Sequence, residues 1–171
     1  DFFNEHGLET NPFWEEPKNT YHVFQEGSEH IGKHPDFQQY KGKLDFVFTS
    51  PPYFDREQYS ADEEQSFRSY PMYHDWRDNF LKPTLTNAYE SLKNDRYLLW
   101  NIADIKIGKD TFHPLEQDSI DVIESLGGQY KGKLKMLMAS MIGVDQSNVK
   151  NKVDVDGVTS KYEPIFIFRK P

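Results

Sequence analysis

Four consecutive residues, Ser50-Pro51-Pro52-Tyr53, combine a hydroxyl, two prolines and an aromatic ring in one short stretch. Proline has no backbone N–H and holds φ near about −65°, so neither proline can continue the hydrogen-bond ladder of a sheet. The stretch therefore predicts a stiff turn whose carbonyls point outward beside a flat ring. Such a turn offers hydrogen-bond acceptors and a stacking surface to a planar ligand.

A buried strand is predicted immediately before this turn. Leu44, Phe46, Val47 and Phe48 are bulky, and they include the β-branched and aromatic types that favour strands. The chain must leave the sheet at the carboxyl end of this strand, which is where open α/β sheets place their ligand crevice. The plain structural alternative is a strand that simply ends in a Pro-Pro turn.

The turn resembles the catalytic motif of the S-adenosylmethionine-dependent amino-methyltransferases of DNA, in which Asp, Asn or Ser is followed by Pro-Pro and then Tyr, Phe or Trp. An exocyclic amine of adenine or cytosine is a poor nucleophile, because its lone pair is delocalised into the ring. The resemblance implies that Ser50, Pro51, Pro52 and Tyr53 form the catalytic site. Ser50 and the carbonyl of Pro51 would accept the hydrogens of the amine, and Tyr53 would stack on a base flipped out of the duplex.

Residues on either side of the motif are candidate binding residues. Phe54, Arg56 and Tyr59 are candidates for contact with the base or a phosphate, at the start of an acidic and aromatic loop that runs to about Tyr73. Long loops next to a catalytic turn often act as lids or substrate loops, and a surface loop without such a role is the alternative. Thr49, directly before the motif, is a candidate for the cofactor side.

A second cofactor candidate is the stretch Glu26-Gly27-Ser28, which follows a predicted strand at Tyr21–Phe24. In the family that this chain resembles, the corresponding turn is commonly Gly-Asp-Ser, and its acidic residue contacts the adenine of the cofactor. The order here is displaced. Glu26 and Ser28 are therefore candidate cofactor-binding residues, and an ordinary helix-capping turn is the alternative.

Composition limits the class of protein. The chain has 171 residues, so one domain is expected, and an aromatic content of 15% predicts a core built on Phe and Tyr. A formal net charge of −8 means that a DNA enzyme would need a local basic face or another segment to hold its substrate. The chain has no cysteine, no apolar run of membrane-spanning length and no visible signal peptide, so we expect a cytosolic setting without a membrane partner.

Buried strands alternate with amphipathic helices along the rest of the chain. The predicted elements are a helix from His74 or Asp75 to about Lys93 that is kinked or split at Pro83, a strand at 96–102, a loop at 106–113, a helix between Pro114 and Gly127-Gly128, a strand at 133–138, a loop at 140–160 and a last strand at 162–170. The last strand resembles the terminal strand of the family. These elements predict a partial Rossmann-like methyltransferase fold, with three layers and a mostly parallel sheet whose last strand is antiparallel.

Parts of the expected fold are absent from these 171 residues. The first two strands, the glycine-rich turn that cradles the methionine part of the cofactor and the acidic residue that binds its ribose have no counterpart. We therefore expect residues 1–171 to be the carboxyl-terminal part of a larger methyltransferase domain, with the glycine-rich motif upstream of Asp1 in the same chain. The fragment alone is expected to be inactive and to bind S-adenosylmethionine weakly.

Two functions remain open from the sequence. The first is methyl transfer from S-adenosylmethionine to an exocyclic amine of a DNA base, cytosine N4 or adenine N6, as in DNA modification within restriction-modification systems. A serine before Pro-Pro leans slightly towards cytosine, and RNA or protein substrates stay possible because the motif recognises a planar amine or amide. The second is a non-catalytic nucleic-acid-binding or assembly module that retains part of the fold.

Overall fold

The computed structural model describes residues 21–56, 65–107, 111–138 and 151–171. The helical segments are a 3₁₀ turn Ile31–Lys33, α1 Pro35–Gln38, α2 Ser66–Ser69, α3 Tyr73–Trp76, a π-helical turn Arg77–Leu81, α4 Lys82–Ser91 and α5 Leu115–Ser125. The strands are β1 Leu44–Thr49, β2 Leu92–Asn101, β3 Ile105–Ile107, β4 Thr111–His113, β5 Gln129–Leu137, β6 Lys152–Val155 and β7 Val158–Lys170. Within these ranges, no helix has the length and apolar composition that a membrane span requires.

The main sheet has the order β1-β2-β7-β5, and β6 pairs with β7. Strand β1 is parallel to β2, whereas β7 is antiparallel to β2, β5 and β6. It follows that β1, β2 and β5 run in the same direction and that the last strand runs against them. The predicted α/β fold with a mostly parallel sheet and an antiparallel last strand is therefore confirmed.

One face of the sheet forms the hydrophobic core together with α4 and α5. The largest fully buried side chains of this core are Trp76, Trp100, Phe166, Phe168, Leu81, Leu85, Leu92 and Leu98. Both buried indoles have hydroxyl partners: Trp76 Nε1 donates to Ser66 Oγ at 3.1 Å, and Trp100 Nε1 donates to Ser119 Oγ at 3.2 Å. These bonds satisfy polar atoms whose burial would otherwise be costly.

The opposite face of the sheet remains exposed in the described part of the chain. Because side chains alternate along a strand, Val47 of β1 packs on the core while Phe46 and Phe48 are 54% and 53% exposed. Tyr97 of β2 and Leu134 of β5 are also large, apolar and exposed. We call this surface, formed by Phe46, Phe48, Tyr97 and Leu134, the open sheet face.

The predicted helix between residues 74 and 93 is a continuous helical segment with a change of register. A π-helical turn at Arg77–Leu81 lies between α3 and α4, and the N–H of Lys82 donates to the carbonyl of Arg77. Pro83 then occupies the first turn of α4, where its missing N–H is tolerated. The sequence located the irregularity correctly, and the structure resolves it as a π turn.

The predicted strand at Tyr21–Phe24 is wrong, because these residues form neither a strand nor a helix. Tyr21 and Val23 are 83% and 84% exposed, so the apolar alternation is not used for burial. Phe24 instead contacts the rings of Phe37 and Tyr40 edge-on, at centroid distances of 5.7 and 6.2 Å. A strand needs a neighbour to satisfy its backbone groups, and β1 pairs only with β2 among the described strands.

Two stretches that the sequence predicts as loops contain hairpins. Residues 106–113 include the antiparallel pair β3 and β4, with Ile105 opposite His113. Residues 140–160 include β6 and the start of β7, joined through Asp156 and Gly157, which both have positive φ, at 51° and 78°. Asp-Gly with positive φ at both positions is the typical two-residue hairpin turn, a signal that the Asp- and Asn-rich composition obscured. Residues 139–150 lie outside the described part.

Candidate catalytic site

The Ser50–Tyr53 turn lies where the sequence places it, at the carboxyl end of β1. The strand ends at Thr49, which pairs with Trp100 of β2, and Ser50 follows as an exposed residue. Pro51 is buried and Pro52 is half-buried, so the prolines fix the turn against the body of the protein. The hydroxyl of Ser50 is thereby presented to solvent at the edge of the sheet.

Tyr53 is held by a side chain from the neighbouring strand. Its hydroxyl donates to Asn101 Oδ1 at 3.0 Å, and Asn101 Nδ2 in turn donates to Glu163 Oε2 at 3.4 Å. Asn101 ends β2 and is 4% exposed, while Glu163 lies on β7. The Tyr53 ring, half-buried at this edge, is thus oriented by residues from two other strands. Sequence reasoning did not reveal the link from Tyr53 through Asn101 to Glu163.

Phe54 turns the chain sharply after the motif. Its φ of +48° is unusual for a bulky residue, and such conformations concentrate at functional sites. The ring is 6% exposed and contacts Tyr73, Trp76 and His113 at centroid distances of 5.6, 5.5 and 5.4 Å. Successive aromatic residues therefore diverge: Tyr53 stays at the sheet edge, and Phe54 anchors the turn in the core.

Arg56 fastens the turn to the small hairpin. Its backbone N–H donates to the carbonyl of Tyr53 at 3.0 Å, and its Nη2 donates to the carbonyl of Lys106 on β3 at 2.9 Å. This predicted substrate residue is exposed and forms part of the surface that borders the turn. Tyr59, the third predicted substrate residue, lies outside the described part.

Glu26 and Ser28, two of the three predicted cofactor residues, lie on the amino-terminal segment, which docks on α4. Ser28 Oγ is 3.0 Å from Thr84 Oγ1, and Asn87 Nδ2 donates to the carbonyl of Ser28 at 2.9 Å. Glu26 is exposed, one residue before the turn in which the Gly27 carbonyl accepts hydrogen bonds from His30 and Ile31. The contacts of Ser28 therefore serve this docking.

Asp104, three residues after the end of β2, contacts the first turn of α5. Its Oδ1 accepts from the N–H of Glu116 at 3.0 Å, and Glu116 Oε1 accepts from the N–H of Asp104 at 3.4 Å. The first of these bonds satisfies a backbone donor in the first turn of α5, and the second ties the segment after β2 to that turn. Lys133 Nζ lies 3.4 Å from the other Glu116 oxygen, so Glu116 also joins β5 to this helix start.

Tyr73 and Asp118 form a titratable pair behind the turn. The Tyr73 hydroxyl donates to the Asp118 carboxylate, and the Tyr73 ring stacks on His113 at 4.2 Å with an interplanar angle of 17°. Burial first, and then the hydrogen bond to Asp118, raise the pKa of Tyr73 far above its usual value. The phenol therefore stays protonated and remains a donor to the carboxylate. No sequence pattern indicated this pair.

The sequence matches a family model described as DNA methylase, of the N6/N4 methyltransferase type, over residues 44–171. That range covers most of the chain and includes the Ser50–Tyr53 turn and strands β1 to β7. The chain therefore belongs to this DNA methylase family. No curated protein sequence matches it significantly.

Solved structures share the fold. TTHA0409 of Thermus thermophilus, assigned as a DNA modification methylase and complexed with S-adenosyl-L-methionine, is 17% identical with a TM-score of 0.53 over 84% of this chain and 52% of that chain. Another structure of TTHA0409 is 18% identical with a TM-score of 0.51, over 84% and 51%. The Rossmann-like methyltransferase fold is thereby confirmed, and the chain spans about half the length of these structures.

Proposed function

We propose that this chain is part of an enzyme that transfers a methyl group from S-adenosylmethionine to an exocyclic amine of a DNA base, and that it contains the site that holds this base. The observation that carries the proposal is the Ser50–Tyr53 turn at the carboxyl end of β1, with the Tyr53 hydroxyl bound to Asn101 at the end of β2. Carboxyl ends of neighbouring parallel strands form the ligand edge of an open α/β sheet.

The proposed chemistry assigns one role to each part of the turn. The Ser50 hydroxyl oxygen and the Pro51 carbonyl accept the two hydrogens of the amine, which localises its lone pair for attack on the methyl carbon of the sulfonium. Tyr53 supplies the ring on which the flipped base stacks. S-adenosylmethionine would supply the electrophilic methyl group and leave as S-adenosylhomocysteine when the bond from sulfur to the methyl carbon breaks, and the methylated amine would release one proton to solvent. Glu26, Ser28 and Thr49 are the proposed residues on the cofactor side.

Membership of the DNA methylase family and the likeness to TTHA0409 support DNA as the substrate and S-adenosylmethionine as the cofactor. The proposed target base is cytosine or adenine, because the matched family model is of the N6/N4 methyltransferase type. Digestion of methylated DNA followed by mass spectrometry identifies N4-methylcytosine or N6-methyladenine and so decides the base.

Ser50→Ala in the full-length protein tests the proposal directly. The variant loses one acceptor that acts mainly in the transition state, so we expect methyl transfer to fall by roughly 10²–10³ with little change in melting temperature. The measurement is incorporation of labelled methyl groups into DNA. Ser125→Ala, an exposed serine at the end of α5, is the matched control and should retain full activity.

Unchanged turnover in Ser50→Ala would remove Ser50 from the catalytic site. DNA binding by the full-length wild type without any methyl transfer would favour the second function, a non-catalytic nucleic-acid-binding module that retains the fold.

A further inference from the structure

A cavity of about 500 Å³ opens beside the proposed catalytic turn. It lies between Phe54, the start of α3 and the β3–β4 hairpin, so it adjoins the carboxyl edge of the sheet that carries Ser50 and Tyr53. Its volume falls in the range of about 300–1,000 Å³ that is usual for small-molecule sites. The residues that line it include Phe54, Met72, Tyr73, Phe112, His113 and Asp118, and we call this space the Tyr73 cavity.

Aromatic rings form the inner wall of the Tyr73 cavity. Tyr73 stacks on His113, and Phe54 contacts the same imidazole edge-on at an interplanar angle of 85°. Tyr73 is 8% exposed, so this wall is formed by a side chain that is fixed in the core. A rigid aromatic wall of this kind suits a flat, apolar-faced ligand.

Two exposed apolar side chains also line the cavity. Met72 is 65% exposed and Phe112 is 52% exposed, which are high values for side chains of their size. Exposed apolar residues grouped at a concave site with a few polar groups are typical of ligand sites. Base–aromatic stacking is a principal source of affinity for single-stranded nucleic acid.

The polar groups of the cavity favour a hydrogen-bond donor over a phosphate. Arg77 carries the permanent positive charge of the lining, but its guanidinium donates two hydrogen bonds to the Asp78 carboxylate, at 2.9 and 3.1 Å. Its charge is therefore already balanced and is less suited to binding a phosphate. The Asp118 carboxylate is fixed by the Tyr73 hydroxyl and is an acceptor with further lone pairs. A carboxylate beside stacked rings matches a heterocycle that carries an exocyclic amine.

We propose that the Tyr73 cavity binds a second nucleobase of the substrate strand, one that bears an exocyclic amine, next to the base that stacks on Tyr53. The inference rests on the proposed function. Phe54, which directly follows Tyr53, lines the cavity, and Arg56 joins the Tyr53 carbonyl to β3 of the hairpin on the other side of the cavity. The cavity beside Phe54 is therefore within reach of the nucleotide that neighbours the target, and it reads a flanking base.

Binding of short single-stranded homopolymers of deoxyadenosine, deoxycytidine and thymidine tests this inference without any methyl transfer. The readout is fluorescence anisotropy of labelled oligonucleotides at constant ionic strength. Thymine has no exocyclic amine, so the wild-type chain should bind it more weakly than the other two. Asp118→Asn keeps an oxygen that accepts from Tyr73 but loses the carboxylate charge, and it should abolish this difference.

Phe112→Ala should weaken binding of the amine-bearing homopolymers by about fivefold or more, the lower end of the ~5–150-fold effect of losing one base–aromatic stack. Phe46→Ala is the matched control, because this Phe is 54% exposed on the open sheet face, away from the cavity. It should leave binding unchanged.

The inference is overturned if the wild type binds all three homopolymers equally or binds none, if Asp118→Asn keeps the wild-type preference, which would then come from the Ser50–Tyr53 turn, or if Phe112→Ala behaves like Phe46→Ala. Failure of the proposed function is a separate result, since it appears only in the methyl-transfer assay. If the protein discriminates between bases but transfers no methyl group, the proposed function fails and the inference about the Tyr73 cavity stands. If it transfers methyl groups without discriminating between bases, the inference fails and the proposed function stands.

Discussion

At the scale of single residues, the candidate site depends on one hydrogen bond between neighbouring strand ends. Tyr53 would stack on a base only if its ring keeps a fixed direction, and the bond from its hydroxyl to Asn101 Oδ1 provides that direction. Asn101 is itself fixed by Glu163 of β7. A buried amide between a phenol and a carboxylate is satisfied on both sides, which favours a single arrangement.

Tyr53→Phe tests the contribution of the hydroxyl separately from that of the ring. The variant keeps the stacking surface but loses the bond to Asn101, so we expect the free energy of unfolding to fall by about 0.5–1.5 kcal/mol. Urea denaturation of wild type and variant measures the difference. Tyr97→Phe, which removes a hydroxyl from an exposed tyrosine of β2, is the control and should change stability little. Equal stability of Tyr53→Phe and wild type would mean that Asn101 does not orient the ring.

At the scale of elements, β1 and β2 are joined by an ion-pair cluster at their amino ends. Asp45 of β1 accepts from Lys93 Nζ at 2.9 Å and from Arg96 Nε at 3.1 Å. Hydrogen bonds from Lys93 and Arg96 lower the pKa of Asp45 below its ordinary value of 3.8. All three side chains are partly or largely exposed, so salt should weaken the cluster.

Asp45→Asn should reveal this cluster as a pH-dependent difference in stability. A carboxyl group with a lowered folded-state pKa stabilises the fold fully at pH values above its unfolded pKa, and this contribution is lost as pH falls through the folded pKa. The wild type should therefore be more stable than Asp45→Asn at neutral pH, and the difference should shrink as pH falls below 3.8, the unperturbed value, and vanish once the pH is below the lowered folded-state pKa. Thermal unfolding across this pH range at low salt provides the measurement, and a constant difference would contradict the assignment.

The carboxyl end of α4 is secured by a lysine of the last strand. Lys170 Nζ donates to the carbonyl of Leu92 at 2.8 Å and of Glu90 at 3.3 Å, and it lies 5.2 Å from the centre of the Tyr89 ring. The ammonium group is partly removed from water, and this burial lowers the pKa of Lys170. Cations at helix carboxyl ends stabilise carbonyls that lack helical partners.

Lys170→Met should lower the free energy of unfolding by about 1–2 kcal/mol, because it removes the charged donor to the Leu92 and Glu90 carbonyls but keeps the aliphatic stem. Lys161→Met, at an exposed position on the same strand, is the control and should have a smaller effect. If both variants have the same unfolding midpoint in denaturant, the junction of α4 and β7 does not depend on this ammonium group.

At the scale of the whole molecule, the open sheet face and the expected incomplete cofactor site both fit a chain that represents part of a larger fold. The chain spans about half the length of the solved structures that share its fold. We expect no glycine-rich cofactor turn within these 171 residues, and large apolar side chains are exposed on one sheet face of the described part. The chain by itself should therefore bind cofactor poorly and associate through this face.

Calorimetric titration of the 171-residue chain with S-adenosylhomocysteine should give a dissociation constant no tighter than roughly millimolar, about −4 kcal/mol. Half a pocket keeps the entropic cost of immobilising the ligand and loses much of the contact energy that offsets it. Micromolar binding would show that the chain holds a complete cofactor site and that the assignment of its strands to the family fold is wrong.

Sedimentation at increasing concentration should show self-association of the isolated chain. Contiguous exposed apolar surface favours it, and so does the edge of β1 that has no partner among the described strands. Phe46→Glu combined with Leu134→Glu places charges on the open sheet face and should keep the chain monomeric. Val155→Glu, on β6, is the control at a less exposed apolar residue and should still associate.

The sequence alone determined the features that depend on local chemistry. Pro51 and Pro52 must end a strand because they have no N–H, so the turn and its place at the carboxyl end of β1 were predictable, as were α5 before Gly127 and the long last strand. The family resemblance supplied the antiparallel direction of that strand.

Only the tertiary structure decided which residues meet across the sheet. The Tyr53–Asn101–Glu163 link joins residues far apart in sequence, and the Tyr73–Asp118 pair joins two helices that no pattern brings together. Tertiary structure also decided that Tyr21–Phe24 is not a strand. Its residue pattern is typical of a strand, but a strand needs a neighbouring strand for backbone pairing. Local patterns describe what a segment can form, and packing selects among those forms because burial and hydrogen-bond satisfaction depend on the whole fold.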